Sequence, residues 1–335
     1  MMKTVILYSI TESYRVKLAV ALQSLLEAHK DCGRDVDIII QSADISDDTR
    51  KRLSGMVASF PGFSLKFQDG NELVARLKAK GFLEYRGNYS CYKFFDLDNV
   101  LAEYPDDTVC LICDADTYVQ GSLLGAVDAL LESGKILAMV REPFRSYSLL
   151  ARERFADWNT GFVAINVGLW RKQGVEKLLY EALDAVKAQE GGRIRITGDQ
   201  ALMTMLCYKH IDFVLTLPPK YNFLPALHLY GYDLFCRLFG VNNVYEREAY
   251  EQSRKAPSFI HLIGGNTFIP PWHRHGTAPY RKLWLDCLRS TPFADDWQEE
   301  ATPIASYLMY LLVRLAYKIL PAGLYASLYK KAAHI

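Results

Sequence analysis

The stretch Val109-Cys110-Leu111-Ile112-Cys113-Asp114-Ala115-Asp116 runs from an apolar, strand-like segment straight into two carboxylates one residue apart. In an extended chain alternate side chains share a face, so Asp114 and Asp116 point together from the carboxyl end of a strand. In open α/β sheets that edge is where ligands bind. Two carboxylates held together repel, and a hard divalent cation relieves the repulsion while leaving coordination positions for phosphate oxygens. The pair is a candidate metal–diphosphate site. A strand followed by an Asp-rich cap, ahead of a helix starting near Ser122, would use the same letters.

Outward from this stretch, strand-like runs alternate with helical periodicity. Thr4–Tyr8 and Val36–Gln41 read as strands, Arg15–Ala28 and Ser46–Ser54 as helices. This βαβα order predicts an α/β fold with a largely parallel sheet. Further strands are expected at Thr108–Cys113, Ile136–Val140, Phe162–Asn166 and Ile211–Leu215, with Ser258–Ile263 completing the sheet and Val175–Ala188 forming another helix.

Composition narrows the function classes. The 335 residues are half hydrophobic, enough for a large core, and 39 Lys+Arg against 38 Asp+Glu give no basic excess for nucleic-acid binding. The apolar start at Val5–Tyr8 breaks at Ser9, too short for a signal-peptide core, and no apolar run reaches transmembrane length. Seven cysteines form no disulfide framework. Cys110 and Cys113 make a CxxC, but inside a strand positions i and i+3 face opposite ways, so they read as reduced core residues of a cytoplasmic protein.

Three further segments put polar residues at the ends of apolar runs. Asn159-Thr160-Gly161 stands before Phe162-Val163-Ala164-Ile165-Asn166, offering an amide for sugar hydroxyls and a glycine for close approach, although a plain turn uses the same residues. Asp199-Gln200 opens a helical run, where an aspartate also serves as a simple cap. His261 follows an apolar strand and precedes Gly264-Gly265 and Pro270-Pro271-Trp272-His273-Arg274. With Asp114 and Asp116 it completes a three-ligand set for a manganese-like ion.

Taken in order, these segments resemble the family-8 retaining glycosyltransferases, especially bacterial enzymes that add galactose or glucose to lipooligosaccharide. The resemblance runs from about Val5 to Trp272 and is carried by Asp114-Ala115-Asp116, Asn159-Thr160-Gly161 with Asn166 and Trp170-Arg171, Asp199-Gln200, and His261-x-x-Gly264 ahead of Pro271-Trp272. It implies a GT-A fold over residues 1–275, a nucleotide-sugar donor that is usually a UDP-hexose, and Mn²⁺ or Mg²⁺ held by Asp114, Asp116 and His261. By the same resemblance, Asp199 or Gln200 lies near the anomeric carbon, and Ala115, Asn159, Thr160, Gly161 and Gly264 border the donor.

The chain departs from the family pattern at several positions. Ser9, Thr11 and Ser13 stand where an Asp-rich turn contacts the base and ribose; Lys93 replaces an arginine near the phosphates; Glu142 replaces an aspartate near the donor sugar. A lysine between the His-x-x-Gly and the Pro-Trp is missing, which leaves Arg274 or His273 to cover the diphosphate. The aromatic segment Tyr221–Tyr250 offers an acceptor surface or, equally, a helical layer on the sheet. Two other readings compete: a haloacid-dehalogenase-like phosphatase, which also uses Asp-x-Asp, and a non-catalytic membrane-peripheral glycan-binding protein.

Residues 276–335 read as a helical extension. From about residue 303 they lack Asp and Glu but carry Arg314, Lys318, Lys330 and Lys331. Tyr307, Tyr310, Arg314 and Tyr317 form one helical stripe beside Ile304, Leu308, Leu311, Leu315 and Ile319. This predicts an amphipathic tail lying on the cytoplasmic face of a membrane, the alternative being a helix pair packed on the protein's own body.

Overall fold

The computed structural model describes residues 3–80, 92–142, 157–189, 199–239, 244–263 and 267–332. Its strands are β1 (Thr4–Ser9), β2 (Val36–Ser42), β3 (Phe63–Asp69), β4 (Val109–Cys113), β5 (Thr117–Val119), β6 (Leu137–Glu142), β7 (Asp157–Asn166), β8 (Val214–Leu217) and β9 (Phe259–His261). Its helices are α1 (Arg15–His29), α2 (Asp47–Ala58), α3 (Asn71–Ala79), α4 (Leu97–Val100), α5 (Leu124–Ser133), α6 (Val167–Lys172) and α7 (Val175–Gln189). There follow α8 (Asp199–Lys209), α9 (Pro225–Leu229), α10 (Tyr232–Phe239), α11 (Arg247–Lys255), α12 (Arg281–Arg289), α13 (Ile304–Ile319) and α14 (Ala322–Ala332).

Seven strands form the central sheet in the order β3-β2-β1-β4-β7-β6-β8. All its pairings are parallel except those of β7, which is antiparallel to β4 and β6. The strands are continuous apolar runs because both faces are covered: Ile6 and Tyr8 pack on one side, Val5 and Leu7 on the other. The same alternation puts Cys110 and Cys113 in opposite layers, and burial pushes the Cys110 thiol up to about 12, so the CxxC is core packing. Ser46 caps α2 by accepting the Thr49 N–H, as its polar start predicts, with Asp47 and Asp48 in the first turn.

Two strand expectations are corrected. Ser258–Ile263 does not complete the sheet: only Phe259–His261 is a strand, and it pairs with β5 in a separate two-stranded ribbon. The chain leaves the central sheet after Cys113, and β9 satisfies the backbone of β5 outside it. Ile211–Phe213 is a 3₁₀ turn, and the strand runs from Val214 to Leu217.

The C-terminal extension has two parts. Trp284 and Leu288 of α12 pack against Val20, Ile260, Leu262 and Trp272, and Asp296 accepts from Arg15 and Arg52, so this part is welded to the body. Beyond it, α13 exposes Ile304, Leu308, Leu311, Leu312, Leu315 and Ile319. Its other face docks: the Tyr317 hydroxyl donates to Leu229 O at 3.3 Å, Arg314 lies over the Phe268 ring, and Tyr325 of α14 meets the Tyr230 hydroxyl at 2.7 Å. The aromatic–basic stripe thus turns partly inward, because tyrosine can bury its ring when its hydroxyl finds a partner. Tyr221, Tyr230, Tyr245 and Tyr250 are likewise buried, so the described residues of the Tyr221–Tyr250 segment form a helical layer rather than an open aromatic surface.

Candidate active site

The site forms where several chain ends meet at one edge of the sheet. The carboxyl end of β4 delivers Asp114 and Asp116 into the short link to β5. Because β7 runs antiparallel, its beginning lies at that same edge: Cys113 faces Phe162, and the Asp114 N–H donates to Gly161 O at 2.9 Å. Glu142 arrives at the end of β6 opposite Asp157, and Asp199 and Gln200 open α8. The β5–β9 ribbon sets His261 opposite Thr117, and the Leu262 N–H donates to Asp116 O at 2.8 Å.

The ligand atoms of Asp114, Asp116 and His261 all lie within 4.8 Å of one another. His261 Nε2 is 3.6 Å from Asp114 Oδ2 and 3.3 Å from Asp116 Oδ1, yet it is buried with no well-aligned hydrogen-bond partner. Behind the cluster, Lys93 is almost wholly buried. Its ammonium donates to Asp114 Oδ1 at 2.5 Å and to Thr160 O at 2.8 Å, and forms an ion pair with Asp199 Oδ2 at 3.2 Å. Burial alone would lower its pKa, but Asp114 and then Asp199 raise it above the ordinary lysine value. Burial raises the Asp114 carboxyl against the pull of Lys93, whereas at Asp116 burial is outweighed by His261 together with Lys17 and a backbone N–H, and that carboxyl is held low. Burial would likewise lower His261, but Asp116 and Asp114 raise it.

A chain of amides joins this cluster to Glu142. Gly161 N–H donates to Asn159 Oδ1 at 2.8 Å, and Asn222 Nδ2 donates to the same oxygen at 2.5 Å. Asn222 Oδ1 meets His261 Nδ1 at 3.1 Å. Asn159 Nδ2 and Gln200 Nε2 both donate to Glu142 Oε2, at 2.6 and 2.9 Å. Burial raises the Glu142 carboxyl, partly offset by these two bonds. Gly161 is required here because a Cβ would collide with the His261 ring.

Other expected residues are placed differently. Ser9 is buried and donates to Gln41 Oε1 at 2.8 Å, and the Ala115 methyl packs in the core. Thr11 and Ser13 lie on an accessible turn with their hydroxyls 2.9 Å apart, while Glu12 between them bonds Ser46 and Thr49 at the start of α2. Lys93 faces the carboxylates rather than open solvent. Arg274 is exposed, and Gly264 lies outside the described residues.

Two residues were not singled out from the sequence. Asn222, fully buried, follows Pro218-Pro219, and a polar amide between Tyr221 and Phe223 was the available signal. Lys17 of α1 sits over the Tyr14 and Trp272 rings, 4.6 and 4.4 Å from their centroids, and pairs with Glu300 at 2.8 Å; its charge helps hold Asp116 low. Nothing in the α1 pattern marks it apart from a solvent-facing lysine.

The residues fit a divalent cation. Asp114, Asp116 and Asp199 face one ammonium and one imidazole, so with His261 neutral the cluster has two negative charges in excess. The unpartnered Nε2 supplies a nitrogen ligand, and the carboxylates supply hard oxygens.

The sequence profile described as Glycosyl transferase family 8 matches residues 5–276. The lipopolysaccharide 1,3-galactosyltransferase of Salmonella typhimurium is 26% identical over 205 residues, covering 58% of this chain and 54% of that protein. The chain thus spans about half the length of that curated relative. Among solved structures, the apo WbbM bifunctional glycosyltransferase matches with a TM-score of 0.66 at 18% identity, over 88% of this chain and 51% of that one. The galactosyltransferase LgtC, in complex with donor and acceptor sugar analogs, matches at 0.62 and 17% over 91% and 99%. Mouse xyloside xylosyltransferase 1 matches at 0.56 and 17% over 80% and 100%. At these identities the likeness is one of fold, that of the GT-A glycosyltransferases. The phosphatase reading of Asp114-Ala115-Asp116 gives way to the profile match, which takes in the central sheet and every candidate ligand: this chain is a glycosyltransferase and belongs to glycosyl transferase family 8.

Proposed function

We propose that the protein moves a hexose, galactose or glucose, from a UDP-sugar to a saccharide or glycolipid acceptor in cell-surface polysaccharide synthesis, with retention of configuration. The observation that carries this reading is the convergence of Asp114, Asp116 and His261 beside Lys93 and Asp199 at the ligand-binding edge of the sheet. The likeness to two galactosyltransferases, the lipopolysaccharide enzyme of Salmonella and LgtC, supports the galactosyl donor and the lipopolysaccharide-type product. Retention rests on the resemblance to the family's retaining members.

A divalent metal, Mn²⁺ or Mg²⁺, bound by Asp114, Asp116 and His261 supplies Lewis-acid stabilisation for a leaving diphosphate. Lys93 acts from behind: its buried ammonium fixes Asp114 and Asp199 and keeps their mutual repulsion from opening the site. Lys17 takes the part expected of Arg274, because its ammonium is held near Asp116 while its counter-ion Glu300 is half exposed and free to yield to phosphate. Asp199 and Gln200 stabilise positive charge that grows at the anomeric carbon as the donor bond breaks. Asn159 and Glu142 offer a donor and acceptors to sugar hydroxyls. Thr11 and Ser13 line the base and ribose side. A calorimetric screen of nucleotide sugars with Mn²⁺ tests the reading: UDP-hexose should bind best, and binding of none would refute it.

The tail is part of the same proposal. The exposed aliphatic side of α13, with Lys318 exposed on it and a sequence from 301 to 335 that carries Arg314, Lys330 and Lys331 but no acidic residue, supports docking on the anionic cytoplasmic face of a membrane. No helix among the described residues is long and apolar enough to cross one.

A further inference from the structure

We propose that Asn222 is a positioning residue that fixes the proton of His261 on Nδ1 and so reserves Nε2 as a lone pair directed at Asp114 and Asp116. The inference rests on the metal reading for its purpose, but the position of the proton follows from hydrogen-bond polarity alone.

The polarity is set by a group with no choice. A backbone N–H can only donate, so the Asn159 atom that meets the Gly161 N–H at 2.8 Å is the side-chain oxygen. That carbonyl also faces the Asn222 amide at 2.5 Å, and since a carbonyl cannot donate, Asn222 must present its NH₂ there. Its own oxygen is then left for His261 Nδ1 at 3.1 Å, which obliges Nδ1 to carry hydrogen. The far end agrees: Asn159 Nδ2 points at Glu142 Oε2, which also accepts from Gln200. Turning Asn222 over would set two carbonyls against each other, and turning Asn159 to relieve that would strand the Gly161 N–H in a buried site.

The assignment opposes a simpler expectation. Nε2 lies 3.3 Å from Asp116 Oδ1, and for an isolated His–Asp pair the neutral ring would keep its proton on Nε2. Here that geometry is poor enough to leave Nε2 without a hydrogen bond, while Nδ1 is engaged through a buried relay. Asn222 holds its place because it follows the 3₁₀ turn Pro219–Tyr221 and precedes Phe223, whose N–H donates to Phe259 O at 2.8 Å and whose carbonyl accepts from the His261 N–H at 3.1 Å. Ring and amide are therefore tied to the same stretch of backbone.

The test is ¹⁵N NMR of His261 in the metal-free full chain, at alkaline pH where the ring is neutral, together with Mn²⁺ affinity by electron paramagnetic resonance in the presence of UDP. Wild type should show the Nδ1–H tautomer. Asn222→Ala should move the proton to Nε2 and weaken Mn²⁺ binding about 10- to 100-fold, the usual effect of losing an outer-shell partner. An Nε2–H tautomer in wild type, or an unchanged tautomer and affinity in Asn222→Ala, overturns the proposal. If Asn222→Ala does not fold, Asn222→Asp decides: its carboxylate accepts from Nδ1, so Nδ1–H is expected, and Nε2–H overturns the proposal. Failure of wild type to bind Mn²⁺ would remove the metal role, while the metal-free spectrum still reads the proton.

Discussion

At the carboxyl edge of β4 charged groups are buried, whereas along α13 aliphatic side chains are exposed, and both reverse the usual distribution. They differ in what holds them. Around Asp114 the buried groups hold one another: the Lys93 ammonium lies between two carboxylates, and the His261 ring lies against two. The arrangement is shaped before any ligand arrives, as electrostatic catalysis requires. Ile304, Leu308 and Leu312 gain nothing comparable from the chain itself, and would be stabilised only by contact with something outside it. On the proposed function, one region receives a small charged ligand into a fixed frame and the other lies against a broad apolar surface.

The largest expected effect comes from breaking the charged frame. Asp116→Asn should lower transfer at least about 1,000-fold while barely changing thermal stability, because it removes a ligand without stranding a buried cation. Asp114→Asn should lose transfer and stability together, since Lys93 then keeps only Asp199. Parallel melting curves that fail to separate the two variants would contradict this division of labour. Lys93→Met leaves Asp114 and Asp199 without their shared cation and should cost about 3–5 kcal/mol in urea denaturation, with added Mn²⁺ restoring part of it. An unchanged denaturation midpoint would show that the pairs are not structural.

Smaller effects sharpen the picture. Asp199→Ala should reduce kcat about 100-fold with little change in donor KM, whereas Asn159→Ala should act mainly on KM. Wild-type turnover in Asp199→Ala would return Asp199 to the role of a helix-capping residue. On the tail, Leu308→Glu with Leu312→Glu should abolish flotation with anionic liposomes yet leave transfer to a water-soluble acceptor within about 2-fold, since both residues face away from the body. Retained flotation would favour burial of that face against another protein.

How much of this was legible in the sequence depended on whether the signal was local. Asp114 and Asp116 stood out because an apolar run ends on them, and His261 entered only in their company. The two-stranded ribbon that joins them did not, because three-residue strands carry no record of which sheet they join. β3 carries no clear strand signal, being a half-exposed edge strand with the mixed letters Phe-Ser-Leu-Lys-Phe-Gln-Asp. Asn222 and Lys17 owe their roles to contacts with β9 and Trp272, far along the chain. The tail's periodicity correctly gave a helix, but not which face would be free, because Tyr317 and Tyr325 find hydroxyl partners on the body.

On the proposed function, Asp114, Asp116 and His261 hold a divalent metal on which sugar transfer depends. The most direct test of that dependence is to measure turnover of UDP-galactose and UDP-glucose by the full chain before chelation, after EDTA, and after Mn²⁺ is restored. Activity should fall to background with EDTA and return with Mn²⁺ in wild type but not in Asp116→Asn. Undiminished turnover in EDTA, or full activity in Asp116→Asn, would contradict it.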